Sequence, residues 1–327
     1  MIGALALLLQ AAALGAGGTP PATVRGTVVT DTLWSQALGT RKLVIVYLPP
    51  SYGRDATRRY PVAYYLHGIT GRETDWTRQG QLDVVMDSLA AAGAQEMIVV
   101  MPDGDDGWYT TWNALPSYDD CRRKPPERES AESYCVPWPH YDDYVARDVV
   151  QFVDRKYRTE AVRAHRAIGG LSMGGYGAVT LAFVYPDIFS AAASHSGVLA
   201  PLYMGPHPFA GVPVWAESGE ALERGWGRLW PLLMPVFGRD TATWWARDPG
   251  RRLDRFLASK GREALPALFL DVGTEDGLAD HSRAFRALAE RRGVAITYHE
   301  WPGAHDWKYW RAHVGESLSW LGAQIAR

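Results

Sequence analysis

Apolar, β-branched runs alternate with amphipathic helical patterns along most of this 327-residue chain, and this alternation restricts the possible folds more than any other feature of the sequence. The runs at 62–66 and 97–101 are short, continuously apolar and bounded by polar loops, which is typical of strands buried on both faces. Between them, apolar residues over 82–89 recur at helical spacing. Because strands that alternate with helices pair in a mostly parallel sheet, the pattern predicts an α/β fold with a central sheet flanked by helices.

The same alternation continues toward the carboxyl terminus and fits a single domain over 23–327. Further strands are predicted at 24–34, 43–48, 166–169, 188–194, 268–272 and 295–299, and further helices at 145–157, 176–184, 282–292 and 307–325. The first two strands are expected to be antiparallel neighbours. Two insertions interrupt the pattern, at about 113–140 and about 198–262, and insertions of this length are usually functional. We expect the second insertion, which is rich in Trp, to cap the functional site of the domain.

Composition and the amino terminus restrict the function and the cellular location. A net charge of −2 with no extended run of Lys or Arg argues against a protein that grips nucleic acid or an acidic membrane surface. Residues 2–16 form an apolar run that is too short to span a bilayer comfortably and is followed by small residues. This pattern predicts a signal peptide over 1–22, and therefore a secreted or periplasmic protein without a stable membrane span.

The chain has two cysteines, Cys121 and Cys135, and both lie in the first insertion. In an exported protein we expect them to form a disulfide, whereas in a reducing compartment they would remain surface thiols. The sequence contains no Cys-x-x-Cys pair and no His-Glu-x-x-His helix, so it predicts no metal site.

A Gly-x-Ser-x-Gly pentapeptide, Gly170-Leu171-Ser172-Met173-Gly174, directly follows a predicted strand and precedes a predicted helix. A serine on such a sharp turn projects its hydroxyl above the sheet, and the glycines let two backbones pass without a clash at Cβ. Glycine-rich helix starts that bind phosphate produce similar sequences, so the pentapeptide alone is weak evidence. Its position between strand and helix makes Ser172 the candidate nucleophile.

His305 is the histidine that suits this nucleophile by both chain order and position, because it lies on the loop after the last predicted strand. An acid must accept a hydrogen bond from its Nδ1–H while Nε2 faces the serine. Three carboxylates at the end of the penultimate strand compete for this role: Asp276, which we favour, Glu275 and Asp271.

Residues 66–71, with the sequence Leu-His-Gly-Ile-Thr-Gly, leave an earlier strand at the place from which a second oxyanion donor comes in such folds. If this loop belongs to the active site, the backbone N–H groups of Ile69 and Met173 stabilise the tetrahedral intermediate. The alternative is an ordinary glycine-rich strand exit.

Several segments in the same chain order resemble the esterase D family of α/β-hydrolases: 66–71, 101–104, 108–112, 170–177, 273–278 and 303–310. That family includes S-formylglutathione hydrolases, feruloyl and acetyl esterases, and mycolyltransferases. The resemblance extends from about residue 24 onward. It implies an α/β-hydrolase fold and a serine-dependent acyl-ester hydrolase or acyltransferase, a reaction that needs no metal or organic cofactor.

The resemblance also implies roles for individual residues. Ser172, Asp276 and His305 match the family's triad, and Ile69 and Met173 match its oxyanion donors. Mycolyltransferases typically follow the nucleophile with Met-Ala and use Glu as the acid. Here Gly follows Met173 and the favoured acid is Asp, so these departures favour the hydrolase branch.

The candidates for the substrate pocket are ring-bearing residues, namely His67, Trp108, Trp112 and Trp307, together with the 198–262 insertion. Burial in the core is the competing interpretation of these rings. We expect a carboxylesterase that acts on a small-molecule or polysaccharide-linked ester through an acyl-enzyme, with no nucleic acid partner. The alternatives are an acyltransferase that passes the acyl group to a sugar hydroxyl, and a non-catalytic carbohydrate- or partner-binding module on a hydrolase scaffold.

Overall fold

The computed structural model describes residues 25–112, 118–127 and 129–326. The predicted signal peptide, 1–22, lies outside these ranges, and so does part of the first predicted insertion. None of the helices in the described ranges combines the length and the apolar composition that a membrane span requires.

An eight-stranded mixed sheet forms the centre of the described structure, with strand order β1-β2-β4-β3-β5-β6-β7-β8. Its strands are β1 (Thr27–Ser35), β2 (Thr40–Leu48), β3 (Val62–Leu66), β4 (Ile98–Pro102), β5 (Arg166–Leu171), β6 (Ala191–His195), β7 (Ala267–Gly273) and β8 (Thr297–Trp301). The β1–β2 and β2–β4 pairs are antiparallel, and the other neighbouring pairs are parallel. The predictions of a mostly parallel sheet and of an antiparallel opening pair are therefore confirmed.

Helices connect most of the strands and flank the sheet. Within the described ranges the α-helices are α1 (Asp75–Arg78), α2 (Leu82–Ala91), α3 (Tyr118–Arg123), α4 (Ala131–Tyr134), α5 (Tyr141–Asp143), α6 (Val150–Lys156), α7 (Met173–Val184), α8 (Gly219–Trp226), α9 (Trp230–Phe237), α10 (Thr241–Arg247), α11 (Pro249–Lys260), α12 (Ala279–Arg291) and α13 (Trp307–Ile325). A π-helical segment, Tyr144–Val149, joins α5 to α6, and 3₁₀ turns occupy Arg163–His165 and Gly227–Leu229. The bounds of α13 are those that the sequence predicts.

The central strands are buried on both faces because their alternate side chains enter two different cores. On β3, Val62 and Tyr64 belong to a cluster that includes residues of α6 and α7, whereas Ala63 and Tyr65 belong to one that includes residues of α2 and α13. All five residues of β3 are fully buried. This double burial explains why the strand is continuously apolar in sequence instead of alternating.

The insertion at 198–262 contains four α-helices, α8 to α11, where the sequence analysis predicts an insertion and assigns no helix. Side chains of Ser218, Asp240 and Asp248 cap three of them by accepting a hydrogen bond from the backbone N–H three residues later. Three of them are difficult to predict because α8, α9 and α10 have eight residues or fewer and because proline lies inside α9.

Cys121, in α3, and Cys135, directly after α4, form a disulfide with their Cα atoms 5.7 Å apart and a sequence separation of 14. Replacing both by Ser is expected to lower the free energy of unfolding by about 3 kcal/mol, because the unfolded chain gains entropy. Denaturant unfolding of the double variant measures this loss, and the intact mass of the wild type without reductant reports the bond itself. Reductant should destabilise the wild type but not the double variant. Equal stability of the two proteins in the absence of reductant would contradict the prediction.

Candidate active site

The serine of the pentapeptide lies on a sharp turn between β5 and α7. Its backbone adopts φ 53° and ψ −114°, a conformation that residues with side chains rarely adopt. Ser172 N–H donates to the carbonyl of His195 at the end of β6 (2.9 Å), and Tyr176 N–H donates to the carbonyl of Ser172 (3.0 Å). The helix therefore begins at Met173, three residues before the predicted start at Tyr176.

The glycines on either side of the serine allow this turn to pack backbone against backbone. A Cβ on Gly174 would contact the carbonyl oxygens of Leu66 and His67 at the end of β3, the latter at 2.6 Å. A Cβ on Gly170 would lie 2.6 Å from the carbonyl oxygen of Gly174. Glycine disfavours helix, so local propensity predicts a later start for α7. The close packing on the strand end outweighs that propensity.

Three side chains from three different loops form one chain of hydrogen bonds. His305 Nε2 lies 3.0 Å from Ser172 Oγ, and His305 Nδ1 lies 2.8 Å from Asp276 Oδ2. Because the carboxylate can only accept, Nδ1 is the donor, and Nε2 is left with a lone pair that faces the hydroxyl. The structure thus brings together the serine, the histidine and the favoured one of three candidate acids.

The other two candidate acids are turned away from this chain, and their surroundings connect the acid and histidine loops. Glu275 is exposed, and its backbone N–H donates to the carbonyl of Gly303 (2.9 Å). A Cβ on Gly273 would contact that same carbonyl, so the two loops touch through backbone atoms. Asp271 is fully buried and accepts a hydrogen bond from the Tyr309 hydroxyl (3.0 Å), which anchors the start of α13 to β7.

The Asp276 carboxylate is buried but is well supplied with hydrogen-bond donors. Burial by itself raises its pKa, but the hydrogen bond and charge of His305, the Leu278 N–H (2.7 Å) and the Ser196 hydroxyl lower it, and the net pKa lies below the ordinary value. Trp310 Nε1–H in turn donates to Ser196 Oγ (3.1 Å). This arrangement keeps the carboxylate ionised and fixes its orientation.

Two backbone N–H groups near the serine are free to bind an oxyanion. Met173 is the first residue of α7, so its N–H has no acceptor within the helix. Ile69 lines the same cavity as the serine, and neither N–H is hydrogen-bonded to another described residue. His67 holds the Ile69 loop: its Nε2 accepts from Gly104 N–H (2.9 Å) and its Nδ1 donates to the Gly68 carbonyl (2.8 Å).

The three hydrogen-bonded side chains line a cavity of about 430 Å³. Much of the remaining wall comes from the 198–262 insertion, which contributes Val198, Tyr203, Met204, Trp226, Leu229 and Leu233. The wall is therefore mainly apolar. No group of three or more His, Cys, Asp or Glu in the described part of the chain is arranged to hold a metal ion.

Of the four predicted pocket residues, Trp108 lines this cavity and the other three do not. Trp112 lines a separate cavity beside the disulfide. Trp307 packs edge to face on Trp76 with ring centroids 5.3 Å apart, and His67 is buried where it holds the loop that carries Ile69. The sequence identifies rings near the site, but the three that lie outside the cavity serve packing and loop support.

Two residues at the site are not identified by the sequence analysis. Ser196 directly follows β6, at the same sheet edge as the candidate triad, and this position is the one signal that could have found it. His281 lies in α12 and lines the cavity. It does not lie on the loop after the last strand, so its position sets it aside as the triad histidine, and nothing in the sequence indicates that its ring reaches the cavity.

Comparison with known proteins identifies similar chains. A family model described as "Putative esterase" matches residues 35–321. An acetyl esterase of Caldicellulosiruptor saccharolyticus is 23% identical over 79% of this chain and 82% of its own length. An esterase of Mycobacterium tuberculosis is 30% identical over 83% of this chain, which spans 54% of that protein. The solved structure of a ferulic acid esterase superposes with a TM-score of 0.67 and 25% identity, covering 92% of this chain and 99% of its own.

Substituting Gly174 by Ala is expected to destabilise the protein by about 1–3 kcal/mol and to lower activity, because the added methyl displaces the end of β3 and the loop that follows it. Thermal unfolding and the rate of ester cleavage measure the two effects. Gly53→Ala is the matched control, since a Cβ there meets open space without a left-handed backbone. Wild-type stability and rate in Gly174→Ala would show that the close packing is unimportant.

Proposed function

The chain belongs to this esterase family and is a carboxylesterase, and we propose that it cleaves its ester through an acyl-enzyme formed on Ser172. The family match confirms the resemblance that the sequence analysis describes. The observation that carries the proposed mechanism is the hydrogen-bond chain from Asp276 through His305 to Ser172 on the wall of one cavity.

In the first half of the proposed reaction, the Ser172 oxygen attacks the ester carbonyl carbon while His305 Nε2 takes the hydroxyl proton. The negative charge that develops on the carbonyl oxygen is bound by the N–H groups of Ile69 and Met173. Each such donor is typically worth about 3 kcal/mol of transition-state stabilisation. The tetrahedral intermediate then collapses, and the C–O bond to the alcohol breaks as His305 returns the proton to the leaving oxygen.

In the second half, a water molecule attacks the acyl-enzyme through the same series of proton transfers. His305 takes a proton from the water as its oxygen attacks the acyl carbon, and then returns that proton to Ser172 Oγ, which releases the carboxylic acid. The His305 side chain is 34% exposed, so water can reach it. Asp276 stays ionised throughout, holds the Nδ1–H tautomer and stabilises the imidazolium that forms in each half.

We also propose that the protein works outside the cytoplasm. The disulfide between Cys121 and Cys135 supports this location, because such bonds persist mainly in oxidising compartments. The predicted signal peptide would direct export. The intact mass of the exported protein reports whether residues up to about 22 have been removed, and a full-length mass in the cytoplasmic fraction would contradict the proposal.

Replacing Ser172 by Ala is expected to reduce kcat by about a million-fold, because the acyl-enzyme can no longer form. Hydrolysis of a p-nitrophenyl ester by the purified protein measures the loss. Ser88→Ala, on the exposed side of α2, is the matched control and should retain wild-type activity. Substantial turnover by a folded Ser172→Ala protein would refute the proposed nucleophile.

The proposed base also predicts a pH dependence. His305 accepts a proton only as neutral imidazole, so kcat/KM is expected to fall as the pH is lowered from about 8 to about 5. Asp276 does not contribute to this fall, since its pKa lies below the ordinary value and it remains a carboxylate over the whole interval. A pH–rate profile on a neutral ester tests this, and a flat profile would contradict the role of His305.

A further inference from the structure

The segment that follows β4, residues 103–109, is anchored by buried charges that the proposed mechanism does not use. The Lys42 side chain is fully buried, and its Nζ lies 2.8 Å from Asp103 Oδ2 and 2.6 Å from Asp105 Oδ1. The Tyr141 hydroxyl also donates to Asp105 (2.6 Å). Three non-glycine residues of the segment have left-handed backbone, which persists only where neighbouring contacts fix it. The buried ion pairs supply such contacts, because a buried charge without its partner is strongly destabilising.

Two contacts between segment 103–109 and the loop after β3 fix His67. Gly104 N–H donates to its Nε2 (2.9 Å), and the Tyr109 hydroxyl donates to its carbonyl oxygen (3.1 Å). His67 precedes the proposed oxyanion donor Ile69 by two residues. The anchored segment therefore holds the loop on one side of that donor.

A third contact holds the loop on the other side of Ile69. Gly71 N–H donates to the Gly68 carbonyl (3.1 Å), so residues 68–71 form a β-turn with Ile69 and Thr70 at its centre. Thr70 has φ 60°, a left-handed conformation that a β-branched residue rarely adopts. Its N–H donates to Asp106 Oδ1 (2.6 Å), and this hydrogen bond stabilises the strained conformation.

We propose that Asp106 is a positioning residue that fixes the turn from which the Ile69 N–H reaches the oxyanion. This inference rests on the proposed function of Ile69 as an oxyanion donor. The carboxylate is itself oriented, because its other oxygen, Oδ2, accepts from the Tyr134 hydroxyl (2.8 Å). Among the described residues, Asp106 does not line the active-site cavity, so it acts through the turn and does not touch the ester.

A positioning role for Asp106 predicts a specific kinetic signature. An oxyanion develops in the transition states of both acylation and deacylation, whereas the ester carbonyl of the ground state carries little charge for an N–H group to stabilise. A loosened turn should therefore slow both halves of the reaction together. As a result kcat falls while KM stays nearly constant.

The test is Asp106→Ala, with cleavage of a p-nitrophenyl ester as the readout. We expect kcat to fall about 10- to 100-fold, the scale on which a small misplacement of a catalytic group slows a reaction, with KM changed by less than about twofold. Asp106→Asn keeps a carbonyl oxygen that can accept from Thr70 N–H, so its kcat should stay within about threefold of the wild type.

Asp55→Ala is the matched control. Asp55 Oδ1 accepts a hydrogen bond from Thr57 N–H (2.9 Å) in the loop that precedes β3, so the variant loses the same type of contact away from the site. Its kcat and KM should equal those of the wild type. Thermal unfolding establishes that each variant is folded.

A transition-state analogue separates misplacement of the oxyanion donor from general damage to the site. The carbonyl carbon of an alkyl trifluoromethyl ketone bonds to the Ser172 oxygen, the carbonyl oxygen becomes an oxyanion, and His305 takes the hydroxyl proton. The alcohol obtained by reducing this ketone has the same shape but forms no oxyanion. Asp106→Ala should weaken inhibition by the ketone by the factor that it removes from kcat/KM, and should leave inhibition by the alcohol unchanged.

Three results would each overturn the inference: wild-type kcat in a folded Asp106→Ala protein, equal weakening of both inhibitors, or a loss in Asp106→Asn as large as in Asp106→Ala. If Asp106→Ala does not fold, Tyr134→Phe decides the question. It removes the donor to Oδ2, so kcat should fall about fivefold at constant KM, the scale of one hydrogen bond, and an unchanged kcat overturns the inference.

Failure of this inference and failure of the proposed function give different results. A wild-type protein that does not cleave esters would contradict the proposed function. Cleavage by the wild type that Asp106→Ala leaves at the same rate would contradict only the role of Asp106.

Discussion

The contact between the turn that carries Ser172 and the end of β3 is the constraint on which the rest of the site depends. Because Gly174 has no side chain, the first turn of α7 rests directly on the carbonyl groups of Leu66 and His67. The same contact brings the loop after β3 beside the start of the helix. Strained backbone of the kind seen at Ser172 typically costs about 1–3 kcal/mol and persists only where its surroundings fix it. Here hydrogen bonds on both sides of the serine do so.

The parallel sheet supplies the other members of the candidate triad. Strands β5, β7 and β8 run in the same direction, so the loops that carry the serine, the aspartate and the histidine leave the sheet at one edge. Contacts between the loops then hold them at hydrogen-bonding distance. Gly273 packs against the backbone of Gly303, and Trp310 supports the Ser196 hydroxyl beside the carboxylate. The geometry of the site is therefore a consequence of sheet topology refined by a few close contacts.

Sequence patterns predict the parts of this arrangement that depend on order along the chain. Strand β3 and helix α13 are predicted with the bounds that they have, because each has an uninterrupted pattern. Ser172 and His305 could be singled out because one stands at a strand-to-helix turn and the other follows the last strand. Asp276 could be favoured over Glu275, but Glu275 stayed an alternative, since the two are adjacent and only folding determines which carboxylate turns inward. The start of α7 was predicted too late because glycine propensity carries no information about the backbone that the helix meets.

The sequence does not reveal which residues line the cavity. Trp108 and Trp112 are the same residue type in the same loop, and only tertiary packing decides which of them lines the active-site cavity. In the 198–262 insertion α8, α9 and α10 have eight residues or fewer and proline lies inside α9, so the sequence does not show which of their side chains face the cavity. Ser196 and His281 lie outside any recognisable motif, and their importance depends on neighbours far away in the chain.

The candidate triad and much of the cavity wall come from different parts of the chain, and this separation has an evolutionary consequence. The groups of the candidate triad lie on loops at strand ends, whereas much of the remaining cavity wall comes from the insertion between β6 and β7. Substitutions in that insertion can change which substrates fit the cavity without altering the candidate triad. Proteins that share this scaffold can thus come to act on different esters while the reaction mechanism stays the same.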